Sequence, residues 1–481
     1  MEFLIVGAGP TGIGAARRLL EHGRRDFLLL ERAATPGGLA GSETDAAGFT
    51  WDFGGHVQFS HYRTFDDAMR EALGDKGWYT HQRESWVWLQ KRFVPYPFQN
   101  NIHRLDLDDR DACLAGLKAA AAASNASVGS NAAAASNASA APSPSPSNLA
   151  QWAQATFGVG IYELFFKPYN FKVWAWPLET LSLSWLGDRV AVPDVARIER
   201  NIATNTDDVS WGPNKTFRFP KRGGTGAIWR ALAEQLPAEN IRLNADAVRL
   251  DLSARRLHLA DGESIGFRHL ISTLPLDRLA AMSGRAELID AARGLVHSST
   301  NLFGIGIAGS PPPAVASKCW MYFPESDCPF YRATVFSRYS PANVPDPARQ
   351  WSLLLEVSES PAKPVDAAAL EGQVIDGLCT TGLLTDRGAI VDRWQRRLPY
   401  GYPTPSLSRD AALAVLQPAF EAHGVYSRGR FGAWKYEVSN QDHSYMQGVE
   451  AIDRLLGRID SADGPEPTLN RPNLVNRGDR P

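Results

Sequence analysis

Along the chain, runs of apolar residues change period in a way that marks out elements. Residues 2–6, EFLIV, predict a short apolar strand. Residues 12–22, GIGAARRLLEH, carry apolar positions at helical spacing, and 27–31, FLLLE, predict a second strand. The N-terminus therefore predicts a βαβ opening. Residues 84–99, ESWVWLQKRFVPYPFQ, are aromatic, β-rich and cut by prolines, which predicts strands and a loop. Helical segments are expected at 107–118 and 149–167. Between them, 119–148 repeats SNAS and ends in a PSPSPS tail. That stretch has almost nothing to bury, so a disordered insertion is expected. A long alanine-rich helix competes, but interspersed Ser, Asn, Gly and Pro argue against it.

Farther on, 221–238 predict a glycine-rich turn and an amphipathic helix, then strands at 241–250, 254–259 and 268–273. Runs within 301–358, such as TNLFGIGIAG and WSLLLEVSES, read as strands. A glycine-aromatic block at 425–443 leads into a helix at 444–456. This order suggests a nucleotide-binding domain interrupted by other domains.

The bulk numbers narrow the function classes. A chain of 481 residues holds two or three domains. With 44% hydrophobic and 21% charged residues the balance is that of a soluble globular protein. A net charge of -2 gives no reason to expect nucleic acid or a polybasic membrane contact. No apolar run is long enough for a transmembrane helix. The opening MEFLIVGAGP lacks signal-peptide features, so a cytoplasmic location is expected. Cys113, Cys319, Cys328 and Cys379 have no CxxC spacing, so neither disulfides nor a metal site is expected. The sequons at Asn125, Asn137 and Asn214 are then expected to be unused.

VGAGPTGIG places Gly7, Gly9 and Gly12 between strand and helix. Gly7 permits the tight turn, Gly9 the approach of a pyrophosphate, and Gly12 the packing of helix on sheet. The helix N-terminus supplies amide donors and partial positive charge. Glu31 ends the second strand, where a carboxylate holds ribose hydroxyls. Six residues later, GGLA at 37–40 resembles the second glycine pair of FAD proteins of the amine-oxidase and dehydrogenase-inhibitor type. KRGGTG at 221–226 and GRFGAWKYEVSNQDHS at 429–444 then read as further cofactor loops, which favours FAD.

Several segments are dense in Tyr, Trp, Arg and Asn: FVPYPFQNN, FFKPYNFKVWAWP, WLGDRV, WGPNKTFRFP, KCWMYFPESDCPFYRATVFSRY and YGYPTPSL. Arginine among aromatics is costly to bury without an anion, and its planar fork suits a diphosphate. A nucleotide-diphosphate substrate fits these residue types. At this point the pattern resembles a family. GGHVQFSHY, WYTHQRES, VPYPFQNNI, PYNFKVWA, WGPNKTFRFP, CPFYRATVFS, GYPTPSL and RGRFGAWKYEVSNQDHS follow, in order, the UDP-galactopyranose mutases of the eukaryotic type. The likeness runs through nearly the whole chain. It departs at 119–148, at Ser210, where an asparagine is expected, and after Asn470, where this chain ends sooner.

The resemblance implies an α/β fold with three parts. A discontinuous Rossmann-like FAD-binding domain would comprise 1–85, 221–300 and 425–481. An inserted helical domain would span 102–205. An antiparallel β-sheet substrate domain would comprise 86–101, 206–220 and 301–424. It implies an isomerase that interconverts UDP-galactopyranose and UDP-galactofuranose, with N5 of reduced FAD as covalent nucleophile on the anomeric carbon and no net redox. Galactofuranose biosynthesis for cell-wall polysaccharide would be its setting. By resemblance, Arg189 and Arg332 grip the diphosphate. Tyr322, Tyr402 and Tyr436 add hydroxyl donors, with Tyr96 nearby. Phe98, Gln99, Phe165 and Tyr169 bracket the uracil, Asn170 and Trp174 hold the ribose side, and Asn214 and Trp320 lie near the galactose. Cofactor contacts fall on Gly7, Gly9, Thr11, Gly12, Glu31, Gly38, Leu39, Gly54, Gly55, His56, Val248, Arg430, Asn440, Gln441 and Ser444. NADPH is the implied reductant, with contacts at Arg83 and Ser85. A homo-oligomer is left open. His56 would sit beside the flavin on the Gly54–Gly55 hinge, tuning flavin nucleophilicity and proton handling. The rival readings are an FAD-dependent amine or porphyrinogen-type oxidase, and a non-catalytic protein of the dehydrogenase-inhibitor type.

Overall fold

Phe3–Val6 is the central strand of a five-stranded parallel sheet, ordered Val425–Ser427, His269–Ser272, Phe3–Val6, Phe27–Leu30, Ile241–Arg242. The computed structural model describes residues 1–133, 146–187, 193–209, 215–458 and 464–476. Side chains alternate across this sheet. Phe3 and Ile5 enter a core with Leu19, Leu29, Ile271 and Ile452, while Leu4 and Val6 enter another with Leu250, Leu257, Leu279 and Leu416. Both faces are covered, so FLIV is apolar throughout. Helix Pro10–Glu21 follows the first strand and packs on helix Gln441–Leu455.

The expected strand at 241–250 divides in two. Ile241–Arg242 closes the parallel sheet, and Ala247–Asp251 opens a three-stranded meander with Arg256–Leu259 and Ser264–Gly266. Asn244 makes the break at φ 56°, a left-handed conformation that asparagine tolerates.

A seven-stranded sheet runs in the order Ile390–Pro403, His297–Ala308, Gln350–Glu359, Arg332–Val335, Trp320–Tyr322, Ser85–Leu89, Arg92–Pro95. It is not purely antiparallel. Trp320–Tyr322 pairs in parallel with Ser85–Val87, because those strands come from distant segments and no hairpin joins them. The strand His297–Ala308 begins inside the stretch expected to belong to the FAD-binding part. A ribbon of Trp78–Gln82 with Thr216–Pro220 likewise joins stretches expected in different parts.

The helical region contains Leu107–Ala133, Leu149–Ile161, Lys167–Trp174 and Val195–Thr204. The first corrects the expectation for 119–148: its helix continues through Ala133, since alanine is the strongest helix former. Residues 134–145 of that stretch lie outside the described residues. The single helix expected at 149–167 is interrupted by a wide turn at Tyr162–Phe166. Pro168, in the first turn of the next helix, has no N–H for a continuous ladder. Among the described residues no helix is long and apolar enough to cross a membrane.

Candidate active site

The first glycine loop is built by close contact. Gly7 adopts φ 98°, and a Cβ on Gly12 would overlap the Gly7 carbonyl oxygen. Around Gly9 the nearest atom to an added Cβ is the Gly37 carbonyl oxygen at 3.7 Å, so the space before the loop is open. Helix Pro10–Glu21 starts at Gly9 without a side-chain cap, and helix Gln441–Leu455 starts at Asn440 without one. Uncapped first-turn amides beside open space suit a pyrophosphate. Glu31 already braces this loop, accepting Ala8 N–H and Ala33 N–H at 2.8 Å each. Gly38 and Leu39 form the next turn. The pairing register skips Val248, which is exposed. Gln441 Oε1 accepts from Gln58 and Trp229, each at 3.0 Å, tying the DFGGH segment to the second helix. These residues fit the expected FAD.

Farther along the same segment, His61 donates from its backbone N–H (3.0 Å) and Nδ1 (2.7 Å) to Asp442 Oδ2. Burial works against the Asp442 charge, but His443 and His61 outweigh it and hold Asp442 at about 2. His61, Asp442 and His443 are the described cluster whose metal-ligating atoms lie within 4.8 Å of one another, and the Asp442–His61 hydrogen bond spans it.

The centre of the site is a carboxylate that sequence reasoning missed. Glu356 is buried on strand Gln350–Glu359. Its Oε1 accepts Gly55 N–H at 2.9 Å and Arg332 Nε at 2.7 Å. Its Oε2 accepts Arg332 Nη2 at 2.7 Å and the Tyr331 hydroxyl at 2.6 Å. The bidentate pair follows from register, since Arg332 lies opposite Glu356 on neighbouring antiparallel strands. Burial opposes the Arg332 charge, but Glu356, Tyr402, Tyr331 and Tyr169 outweigh it and hold its pKa well above the usual value. An acid directly after the apolar run WSLLL, inside a predicted strand, was the available signal.

Gly54 adopts φ 136° and lets His56 fold back toward it; His56 N–H donates to Gly54 O at 2.8 Å. His56 is driven down to about 4 by burial first, helped by Arg430 and Arg332 and opposed by Glu356. Its imidazole is therefore neutral at physiological pH, and Nδ1 has no partner among the described residues.

Beside Arg332 lies a cavity of about 210 Å³ lined by Tyr169, Asn170, Val173, Trp174, Trp185, Tyr322, Tyr331, Arg332, Tyr402 and Tyr436. Of the expected substrate residues, Tyr169, Asn170, Trp174, Tyr322, Arg332, Tyr402 and Tyr436 thus meet in one space. Burial raises Tyr169 and Tyr402 above the ordinary tyrosine value, so both remain hydroxyl donors at neutral pH. Tyr96 is pushed up to about 12 by burial and by Tyr322, against whose ring it packs at 5.4 Å. Arg430 lies over the Tyr402 ring at 4.9 Å and donates to Gly401 O and Ser439, linking the cofactor side to this wall. Arg83 joins the other wall, donating to Ser85 at 3.0 Å and to Tyr322 at 3.5 Å, 5.0 Å from the Trp320 ring centre.

Phe98 and Phe165 stack on each other at 4.6 Å, with Tyr169 stacked on Phe165 at 5.4 Å. Buried Gln99 lies beside them. Asn170 donates back to Phe166 O at 2.8 Å, within its own helix region. Arg189, Ser210 and Asn214 lie outside the described residues. Trp185 and Tyr331 line the cavity without having been singled out; each is an aromatic within an arginine-bearing motif, WLGDRV and CPFYRATVFS.

Residues 10–306 match the family of flavin-containing amine oxidoreductases. A crystal structure of reduced UDP-galactopyranose mutase is 47% identical, with a TM-score of 0.91, over 99% of this chain and 98% of that one. A CLA-producing fatty acid isomerase from P. acnes is 14% identical at TM-score 0.61, over 94% of this chain and 98% of that one. Wild-type putrescine oxidase bound to putrescine is 13% identical at TM-score 0.63, over 95% and 99%. The last two likenesses concern the fold alone.

Proposed function

This chain belongs to the UDP-galactopyranose mutase family, among the flavin-containing amine oxidoreductases, and we propose that it interconverts UDP-galactopyranose and UDP-galactofuranose. The observation that carries the reading is the tyrosine-lined cavity at Arg332, joined through Glu356 to Gly55 of the cofactor segment. A diamine substrate gives that arginine no anion to hold.

FAD would be held by Gly7, Gly9, Thr11, Gly12, Glu31, Gly38, Leu39, Val248, Arg430, Asn440, Gln441 and Ser444. Once reduced and bound, it supplies a nucleophilic N5 for the anomeric carbon, with no net redox. The protein's part is to accept the charge that develops on the departing diphosphate. Arg332 stays cationic, and Glu356 fixes its orientation in advance. Tyr322, Tyr402 and Tyr436 line the same cavity, and their hydroxyls suit the diphosphate oxygens. The same contacts retain UDP until the ring-altered sugar takes it back. Neutral His56, with Nδ1 unengaged, is equipped to exchange a proton on the cofactor side. Arg83 and Ser85 are assigned to NADPH as reductant, in a cytoplasmic setting. A single assay tests the whole. Dithionite-reduced protein should convert UDP-galactofuranose to UDP-galactopyranose, and oxidised protein should not. Conversion independent of reduction, or none in either state, sinks the proposal.

A further inference from the structure

Trp185 lines the cavity beside Tyr436 and Trp174, with ring centres 5.4 and 5.2 Å away. It is 7% exposed, and its Nε1 has no hydrogen-bond partner among the described residues. An indole nitrogen only donates, and a buried donor left unpaired is costly. Such a group on the wall of a cavity that also holds the Arg332 guanidinium, tyrosine hydroxyls, Asn170 and the Trp174 indole is matched by an anionic acceptor.

The placement of Trp185 is itself secured. Its neighbour Ser184 accepts from Arg409 Nη2 at 2.8 Å. Arg409 is 1% exposed and also donates to Glu437 at 2.9 and 3.2 Å, and to Asp410 at 2.8 Å. Glu437 adjoins Tyr436, so one buried guanidinium ties together the backbones carrying both aromatic walls.

We propose that Trp185 donates its indole N–H to the diphosphate of the bound nucleotide sugar, and that Arg409 is the positioning residue that aims it, through Ser184. This rests on the mutase reading of the same cavity. It adds a neutral donor to the cationic and phenolic ones, from the WLGDRV segment, in which only Arg189 was expected to reach the diphosphate.

The test uses oxidised holoenzyme, with UDP and uridine as probes in titration calorimetry. Trp185→Phe keeps an aromatic ring but removes the N–H together with the pyrrole half of the indole, and uridine reports the packing part of that change. The substitution should weaken UDP about tenfold, the worth of a hydrogen bond to a charged group. Uridine affinity should stay within about twofold, because uridine has no phosphate. Ser184→Ala, at an exposed position, should fold and weaken UDP about threefold. In both variants KM for UDP-galactofuranose should rise while kcat and flavin content change little. Arg409→Lys should give the larger KM effect if it folds; if it does not, Ser184→Ala decides the positioning role alone. UDP affinity unchanged in Trp185→Phe overturns the donor, and unchanged affinity in Ser184→Ala overturns the aiming. Uridine weakened in parallel with UDP shows ring packing and also overturns the donor. Wild-type protein that binds no UDP overturns the mutase reading instead, a result seen before any variant is compared.

Discussion

The cofactor cradle and the substrate cavity are built on opposite principles. The cradle is made of backbone: glycines whose neighbours leave no room for a Cβ, uncapped helix ends, and Glu31 bracing loop amides. The cavity is made of side chains gathered from residues 169 to 436, and its charge is held in place by the buried Arg332–Glu356 pair. A backbone cradle tolerates polar exchange but no added volume. A side-chain cavity tolerates volume but not the loss of a charged partner. The two share Glu356 Oε1, which accepts from both Gly55 and Arg332.

The largest effect should come from Arg332→Ala. Removing one partner leaves the buried Glu356 charge unpaired, at a cost of about 3–5 kcal/mol. Turnover of UDP-galactofuranose should fall about a thousandfold as the diphosphate loses its cation. The protein should remain yellow. Loss of flavin, read from its absorbance after gel filtration, would mean that the two regions are not separable. Next is Gly12→Ala, which attacks the cradle. Its Cβ overlaps the Gly7 carbonyl oxygen, so the loop must move. Stability should fall by about 3 kcal/mol, seen in urea unfolding, and flavin content should drop. Full flavin with unchanged stability would show that the loop yields easily.

This contrast also explains what could be read from sequence. The cradle's glycines lie within a few residues of each other, so spacing alone names them. The parallel sheet followed from FLIV and FLLL, because continuous apolar runs signal strands covered on both faces. Glu356 could not be read that way. Its roles depend on a strand register between segments 24 residues apart and on a loop that returns from residue 55. The Phe98–Phe165 stack has the same origin: residue type announced aromatics, but only packing shows that they close on each other. The helix through Ala133 was missed for another reason, since composition weighed the Ser, Asn and Pro above the alanine runs.

His56 sharpens the comparison through pH. Its folded pKa of about 4 lies below the ordinary 6.5, chiefly because burial disfavours the cation. The unfolded chain therefore binds the extra proton first. Stability from this group is complete above 6.5 and lost as pH falls through the window toward about 4. Between pH 7 and pH 5 the loss is about 2 kcal/mol. Asp52 acts in the opposite sense: burial raises it to about 7, so its share of stability is lost as pH rises from 3.8. Wild-type curves mix the two. The difference between wild type and His56→Gln in urea unfolding isolates the histidine and should narrow by that amount at the lower pH. A constant difference would place a charged imidazole in the folded site.

The smallest change probes the shared atom's neighbour. Tyr331 is buried, and its hydroxyl donates to Glu356 Oε2 at 2.6 Å, while its ring lies 5.8 Å from the Arg332 guanidinium. Tyr331→Phe keeps the ring and its volume, so no cavity forms. It removes one of the hydrogen bonds that fix Glu356, leaving Gly55 and Arg332 to hold the carboxylate. If the carboxylate serves the cavity first, kcat/KM should fall about tenfold, with flavin content and its absorbance spectrum unchanged. The Arg332 orientation then loosens while the Gly55 backbone, fixed by its own loop, stays in place. A shifted flavin spectrum at unchanged kcat/KM would reverse that order. Glu356 would then belong to the cradle, and the boundary between the two regions would run through the cavity wall at Arg332.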